Sequence, residues 1–223
     1  MGVVGKTALV ADDDEFFRMA LRSILTSQLG FTEVLETASL DEAVERLSET
    51  EGVSLALFDL AMPGMESAAS LRAVREFYPE TQAAVVSAST RRIDVLLALE
   101  AGAHGYVPKN LGVAELARAL RSITEGVIYV PAFIADLSTT MGEPNLPLAN
   151  SLARAEAPEP SLTVRQRQVL EHLVAGRSNK EIARALNLGE GTVKVHVAAL
   201  FRVLGVTSRA AAAAAGARLL GSE

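Results

Sequence analysis

Five short apolar runs alternate with five amphipathic stretches over the first part of the chain, and this alternation limits the fold more than any other feature. The runs are Thr7-Ala8-Leu9-Val10-Ala11, Val34-Leu35, Leu55-Ala56-Leu57-Phe58, Ala83-Ala84-Val85-Val86 and Gly105-Tyr106-Val107. Between and after them lie helical patterns over Phe16 to Leu29, Leu40 to Leu47, Ala68 to Phe77 and Ile93 to Leu99, and one marked by Val113, Leu116, Leu120 and Ile123. Strands that are apolar throughout are covered on both faces, and a helix after each strand supplies the cover. The expected class is therefore α/β, a doubly wound five-stranded parallel sheet with helices on both faces.

The pattern changes after Gly126. Ile128-Tyr129-Val130-Pro131 leads into a short helix expected to reach Leu137, and then into a stretch rich in Pro, Ala, Ser and Glu that contains Pro144, Pro147, Pro158 and Pro160. Prolines interrupt helix and favour extended chain, so this segment reads as a linker. From Leu162 onward only helical periodicity remains. Val169, Leu170, Leu173 and Val174 mark one helix, Ile182, Ala183 and Leu186 a second, Val193, Val197, Leu200, Phe201 and Leu204 a third, and Ala210 to Leu220 a fourth. The expected division is a first domain over 1–125, a linker over 126–160 and a smaller all-α domain over 161–223. A length of 223 residues accommodates two domains of ordinary size.

Charge divides along the same line. The net charge is -6, yet residues 161–223 hold nine Lys and Arg against four Asp and Glu, while the front of the chain is strongly acidic. A basic tail suits a phosphate backbone and an acidic front does not. The absence of cysteine removes disulfides and thiolate metal sites. No run of about 18 apolar residues and no basic, apolar leader occurs, so a cytoplasmic location without membrane contact is expected.

In an open parallel sheet the ligand sits at the carboxyl ends of the strands. Those ends carry Asp12, Asp13 and Asp14 after the first strand, Asp59 after the third, Ser87 at the fourth and Lys109 after the fifth. Clustered carboxylates repel one another unless a cation joins them, and an oxygen-rich set of this kind suits magnesium. Asp14 fits a helix N-cap and is given no metal role.

Four segments in order, Leu9-Val10-Ala11-Asp12-Asp13, Phe58-Asp59-Leu60-Ala61-Met62-Pro63-Gly64-Met65, Val85-Val86-Ser87-Ala88-Ser89 and Ala101-Gly102-Ala103-His104-Gly105-Tyr106-Val107-Pro108-Lys109, resemble a CheY-like receiver domain. The resemblance implies that Asp59 accepts a phosphoryl group from a phosphohistidine on a sensor histidine kinase. It implies that Asp12, Asp13, Asp59 and the Ala61 carbonyl hold Mg2+, that Lys109 neutralises the transferred group, and that Ser87 and Tyr106 form a switch pair. Glu66-Ser67 stands where relatives often have Asp-Gly, and Asn110 where a proline is common; both leave the acids and the amine untouched. His104 reads as a surface residue.

The last segment resembles a LuxR-type helix-turn-helix domain through Leu162-Thr163-Val164-Arg165, Val169-Leu170, Ala175-Gly176-Arg177-Ser178-Asn179-Lys180-Glu181-Ile182-Ala183 and Thr192-Val193-Lys194-Val195-His196. Together the two halves resemble two-component response regulators of the NarL/FixJ family. Independently, Ser178 with Glu181 forms a capping box, and the buried stripe of the third helix leaves Lys194, Val195, Ala198 and Arg202 on its other side. The resemblance implies that Lys194 and Val195 approach base edges and that Lys180, Thr192 and His196 meet the phosphate backbone. At Ala198 some relatives carry a long polar residue, so fewer bases are read there. Gln166, Gln168, Gly189 and Val203 also depart from the usual pattern. The Ala-rich last helix offers a small-residue face for a second copy or for the domain's own core.

The implied protein is a transcription factor and not a turnover enzyme. Its partners would be a sensor histidine kinase, double-stranded DNA, RNA polymerase and, in the active form, a second copy of itself. Gly5-Lys6-Thr7 lacks the glycine spacing of a phosphate-binding loop and precedes a strand, which argues against a nucleotide enzyme. A regulator that works without phosphorylation is the alternative; the full set Asp12, Asp13, Asp59, Ser87 and Lys109 argues against it.

Overall fold

The structure, a computed structural model, describes residues 5–65, 68–135, 162 and 164–221. Five strands, β1 (Lys6–Ala11), β2 (Phe31–Thr37), β3 (Val53–Phe58), β4 (Gln82–Ser87) and β5 (Tyr106–Pro108), form one parallel sheet in the order β2-β1-β3-β4-β5. β1 lies between β2 and β3, with Leu9 level with Leu35 on one side and Ala56 on the other. The strand order therefore reverses at β1, and the crevice outside its carboxyl end is where ligands bind in sheets of this order.

Alternating side chains feed two cores. Leu9, Ala11, Ala56 and Phe58 face α2 (Leu40–Glu49), α3 (Ala68–Phe77) and α4 (Arg92–Glu100). Ala8, Val10, Leu55 and Leu57 face α1 (Glu15–Leu29) and α5 (Val113–Thr124). Burial of both faces is what requires continuous apolar strands. Asp14 caps α1 by accepting from the amides of Phe16 and Phe17, as its place before the helix predicts.

Past α5 the chain does not leave the sheet at once. Tyr129 pairs in parallel with Gly105, its carbonyl accepting from the Tyr106 amide at 2.9 Å, so the edge of β5 is covered. A 3-10 turn at Ala132–Ile134 follows, and the expected helix end at Leu137 lies outside the described residues. The linker prolines lie outside the described residues.

Among the described residues that follow there are four helices: α6 (Val164–Val174), α7 (Asn179–Leu186), α8 (Glu190–Val203) and α9 (Arg209–Leu220). Their core is Val169, Leu170, Leu173, Ile182, Val193, Val197 and Leu200, the apolar stripes expected from periodicity. The Ser178–Glu181 capping box starts α7, and Gly189 precedes α8. On α9, Ala212 and Gly216 are buried, and a side chain at Gly216 would run into Leu170 and Val174. The small-residue face there serves the domain's own core.

Candidate functional site

The acidic crevice forms because three strand ends meet. Asp12 and Asp13 follow β1, Asp59 follows β3, and the Asp59 amide donates to the Ala11 carbonyl at 2.8 Å, which sets the two ends side by side. Carboxylate oxygens of Asp12, Asp13 and Asp59 all lie within 4.8 Å of one another. Asp12 and Asp59 are 1% and 3% exposed, whereas Asp13 opens to solvent. Ala61 lies two residues past Asp59, in the exposed part of the following loop.

Lys109 closes the crevice from the end of β5. Its Nζ lies 2.7 Å from Asp12 Oδ2, 2.9 Å from Asp12 Oδ1 and 3.1 Å from Asp59 Oδ2, and 4.8 Å from the centre of the Phe17 ring. The Lys109 amide donates to the Ser87 carbonyl at 2.8 Å, which ties the amine's backbone to β4. Burial would lower the pKa of Lys109, but hydrogen bonds and charge from Asp12 and Asp59 outweigh it and hold the amine above its ordinary value. Burial pushes the Asp12 carboxyl up, against the lowering effect of Lys109 and the Asp14 amide.

One amine does not satisfy this set. Asp59 Oδ1 is buried without a hydrogen-bond partner, and Asp12 Oδ2 has only its ionic contact with Lys109. Buried carboxylate oxygens left open at one point, next to an exposed third carboxylate, fit the donor set of a hard divalent cation.

Ser87 and Tyr106 meet on a third residue. Ser87 Oγ accepts from the Ser89 amide at 3.2 Å, and the Tyr106 hydroxyl donates to the Ser89 carbonyl at 2.8 Å. Ser89 in turn donates its hydroxyl to Asp94 in the first turn of α4. Neither Ser89 nor Asp94 stands out in the sequence, because a serine after a strand and an acid at a helix start are ordinary. Tyr106 is fully buried, and burial raises its pKa despite the hydroxyl contacts of Ser87 and Ser89. His104 is half-buried, and its Nδ1 accepts from the Ala83 amide, so it caps a strand and is not a plain surface residue.

The face of α8 opposite its own core lies on the receiver half. Val195 and Ala199 join the core cluster that includes Val44, Leu47 and Val74, and are 2% and 4% exposed. Thr192 and His196 are buried too, Ala198 and Arg202 are half-buried, and Arg202 pairs with Glu76 of α3. Lys194 and Lys180 remain exposed. The sequence places Val195, Ala198 and Arg202 on the outward side of the helix; the docked receiver covers that side.

Asp41, in the first turn of α2, holds the docking together. Its Oδ1 accepts from His196 Nε2 at 2.8 Å, and its Oδ2 from Arg165 Nε and Nη2 at 3.2 and 3.1 Å. Its carbonyl accepts from the Thr192 hydroxyl at 3.2 Å. Burial would raise the Asp41 pKa, but His196 and Arg165 hold the carboxyl below its usual value. No spacing rule points to partners 124 and 155 positions away.

Comparison with known proteins agrees with both halves. A model of the response regulator receiver domain matches residues 8–121, and a model of bacterial regulatory proteins of the luxR family matches residues 160–215. The chain is 36% identical over 203 residues to the glycerol metabolism activator of Pseudomonas putida, covering 90% of each. It is 31% identical over 207 residues to the nitrate/nitrite response regulator protein NarL of Escherichia coli K12, covering 93% of each. Among solved structures, a LuxR-family two-component response regulator from Aurantimonas sp. SI85-9A1 aligns with a TM-score of 0.53 at 27% identity, over 59% of this chain and 93% of that one. Salmonella enterica serovar Typhimurium RcsB bound to promoter P1flhDC aligns with a TM-score of 0.54 at 19% identity, over 95% and 97% of the two chains, a likeness of fold alone.

The chain therefore belongs to the two-component response regulators that join a receiver domain to a LuxR-type DNA-binding domain. The family consists of transcription regulators and not turnover enzymes. Among the described residues no helix is long and apolar enough to cross a membrane.

Proposed function

We propose that this regulator accepts a phosphoryl group on Asp59 from the phosphohistidine of a sensor histidine kinase, and that the modification controls its dimerisation and DNA binding. The observation that carries the reading is the convergence of Asp12, Asp13 and Asp59 under the Lys109 amine. An oxygen of Asp59 attacks phosphorus, the P–N bond to histidine breaks, and the imidazole leaves with the bonding pair. Lys109 faces the charge on the transferred group from the β5 side, while Asp12 orients the amine. Mg2+ held by Asp12, Asp13, Asp59 and the Ala61 carbonyl would neutralise phosphoryl oxygens during transfer.

Once phosphorylated, Asp59 carries about -1.5 to -2 charge in place of the carboxylate's -1, and presents new acceptor oxygens further out. Ser87 offers its hydroxyl at the end of β4; drawing it to a phosphoryl oxygen removes its contact with the Ser89 amide, and Tyr106 shares that residue through its carbonyl. The helix-turn-helix half then meets double-stranded DNA through Lys180, Thr192, Lys194, Val195 and His196, with Ala198 beside them, and the bound dimer recruits or repels RNA polymerase. The expected setting is the cytoplasm.

Labelling from a small phosphodonor with magnesium tests the first half: wild type takes up label and Asp59→Asn does not. Binding to promoter fragments that falls steeply with salt and with Lys194→Ala supports the second half; indifference to both contradicts it.

A further inference from the structure

The chain that leaves α5 is clipped to the backbone around Tyr106. On one side of this short run the His104 amide donates to the Ala83 carbonyl at 2.8 Å and the Gly105 carbonyl accepts from the Val85 amide at 3.0 Å, both in β4. On the other side the His104 carbonyl accepts from the Tyr129 amide at 3.1 Å, and the Tyr106 amide donates to the Tyr129 carbonyl at 2.9 Å. A Cβ at Gly105 would lie 3.1 Å from the Tyr129 Cβ and 2.8 Å from Ile123 Cδ1, so glycine is what lets the two backbones come this close.

From there the segment crosses the sheet edge from one core to the other. Tyr129 packs against the cluster that holds Val107, Leu120 and Ile123. Pro131 is buried, and Phe133 and Ile134 pack against the opposite cluster, which holds Val95, Ala98 and Tyr106. The turn Ala132–Ile134 ends it, and Ala135 is the last described residue before the helical half. Both the amide of Tyr106 and the core that encloses its ring therefore touch one exit segment.

We propose that Tyr129–Ile134 is the output strap of the receiver, which senses the position of Tyr106 and hands the phosphorylation state to the connection with the helix-turn-helix half. The inference rests on the reading of Asp59 as phosphoacceptor and of Ser87 with Tyr106 as its switch, and adds the route by which the switch leaves the sheet. When Ser87 turns to a phosphoryl oxygen, the Ser89 amide loses its acceptor and the backbone of Ser89 shifts. The Tyr106 hydroxyl then loses the Ser89 carbonyl. A buried hydroxyl left without a partner is costly, so the ring of this fully buried residue moves. Phe133 and Ile134 repack with the cluster around the ring, and Tyr129 follows because its two backbone bonds run to His104 and Tyr106. An element with different contacts in the two states is what a shift of population requires.

The test uses the full chain labelled with fluorotyrosine. Tyr78, Tyr106 and Tyr129 are its three tyrosines, so the fluorine spectrum is assigned by changing each to Phe. Beryllofluoride with magnesium serves as the phosphoryl mimic, and its own bound fluorine signal reports occupancy. The Tyr106 and Tyr129 signals should both shift when the mimic binds, and the Tyr129 shift should be lost in Tyr106→Phe at full occupancy. Phe133→Ala, at the far end of the strap, should take up the phosphoryl group as wild type does, while the change in duplex affinity on phosphorylation falls severalfold. A Tyr129 signal that stays in place with the mimic bound overturns the proposal. So does an equal Tyr129 shift in Tyr106→Phe, or a Phe133→Ala protein whose DNA response matches wild type. If wild type shows no bound mimic, the phosphoacceptor reading fails, and the strap, left with no signal to carry, falls with it.

Discussion

The Lys109 ammonium lies 3.1 Å from Oδ2 of Asp59 and closer still to Asp12, bridging the ends of β1 and β3 from the end of β5. Its side chain is 16% exposed, and those of the two aspartates are 2% and 3% exposed. Removing the amine leaves two carboxylates in a nearly dry crevice with nothing to offset them. Lys109→Met should therefore cost about 3 kcal/mol, the lower end for breaking a buried pair, read from urea unfolding. Asp12 already has a raised pKa, so the folded state holds its proton above the ordinary value of 3.8. In the variant, stability should decline as pH climbs from that value toward the raised one.

Magnesium should stabilise the wild type, because the folded pocket gathers three carboxylates that the unfolded chain separates. At a concentration of about a hundred times its dissociation constant the gain is roughly 2.7 kcal/mol. Asp13→Asn should reduce the shift while leaving the metal-free midpoint nearly unchanged, because Asp13 is exposed. Thermal unfolding with and without magnesium measures both.

Tyr106 supplies an alkaline signature. Burial raises its phenol pKa above the ordinary 10.0, so between the two values the unfolded state loses a proton that the folded state keeps. Stability should then fall as pH rises above 10, and Tyr106→Phe should flatten the fall. Tyr78 has a raised pKa for the same reason and leaves a residual slope.

Gly216 separates two uses of the last helix. A Cβ there would lie 2.6 Å from Leu170 Cδ1 and 2.9 Å from Val174 Cγ2. Gly216→Ala should destabilise the helical domain by about 1–3 kcal/mol through overpacking, despite alanine's better helix propensity. The unfolding midpoint measures it.

The parts that the sequence discloses are those encoded locally. Alternation of apolar runs and amphipathic stretches foretells the sheet and its helices; Asp14, Ser178 and Glu181 foretell helix starts; and the acids at strand ends foretell the crevice, because a parallel sheet brings its carboxyl ends to one edge. Contacts between distant surfaces are not encoded this way. Asp41 lies unremarked within the second helical pattern and Arg165 within the LuxR-type motif, and nothing in the sequence pairs them, yet folding sets them 3.1 Å apart. Tyr129, beyond the last expected strand, pairs with Gly105 through backbone atoms, and backbone pairing leaves little mark on residue type.

The central claim is that Asp59 is where the signal enters. Intact-mass measurement after incubation with a small phosphodonor and magnesium tests it most directly, with peptide mapping after borohydride trapping of the acyl phosphate. Wild type should gain one phosphoryl group, located at Asp59, and Asp59→Asn should gain none. A phosphoryl group located elsewhere, or equal uptake by Asp59→Asn, would contradict the account.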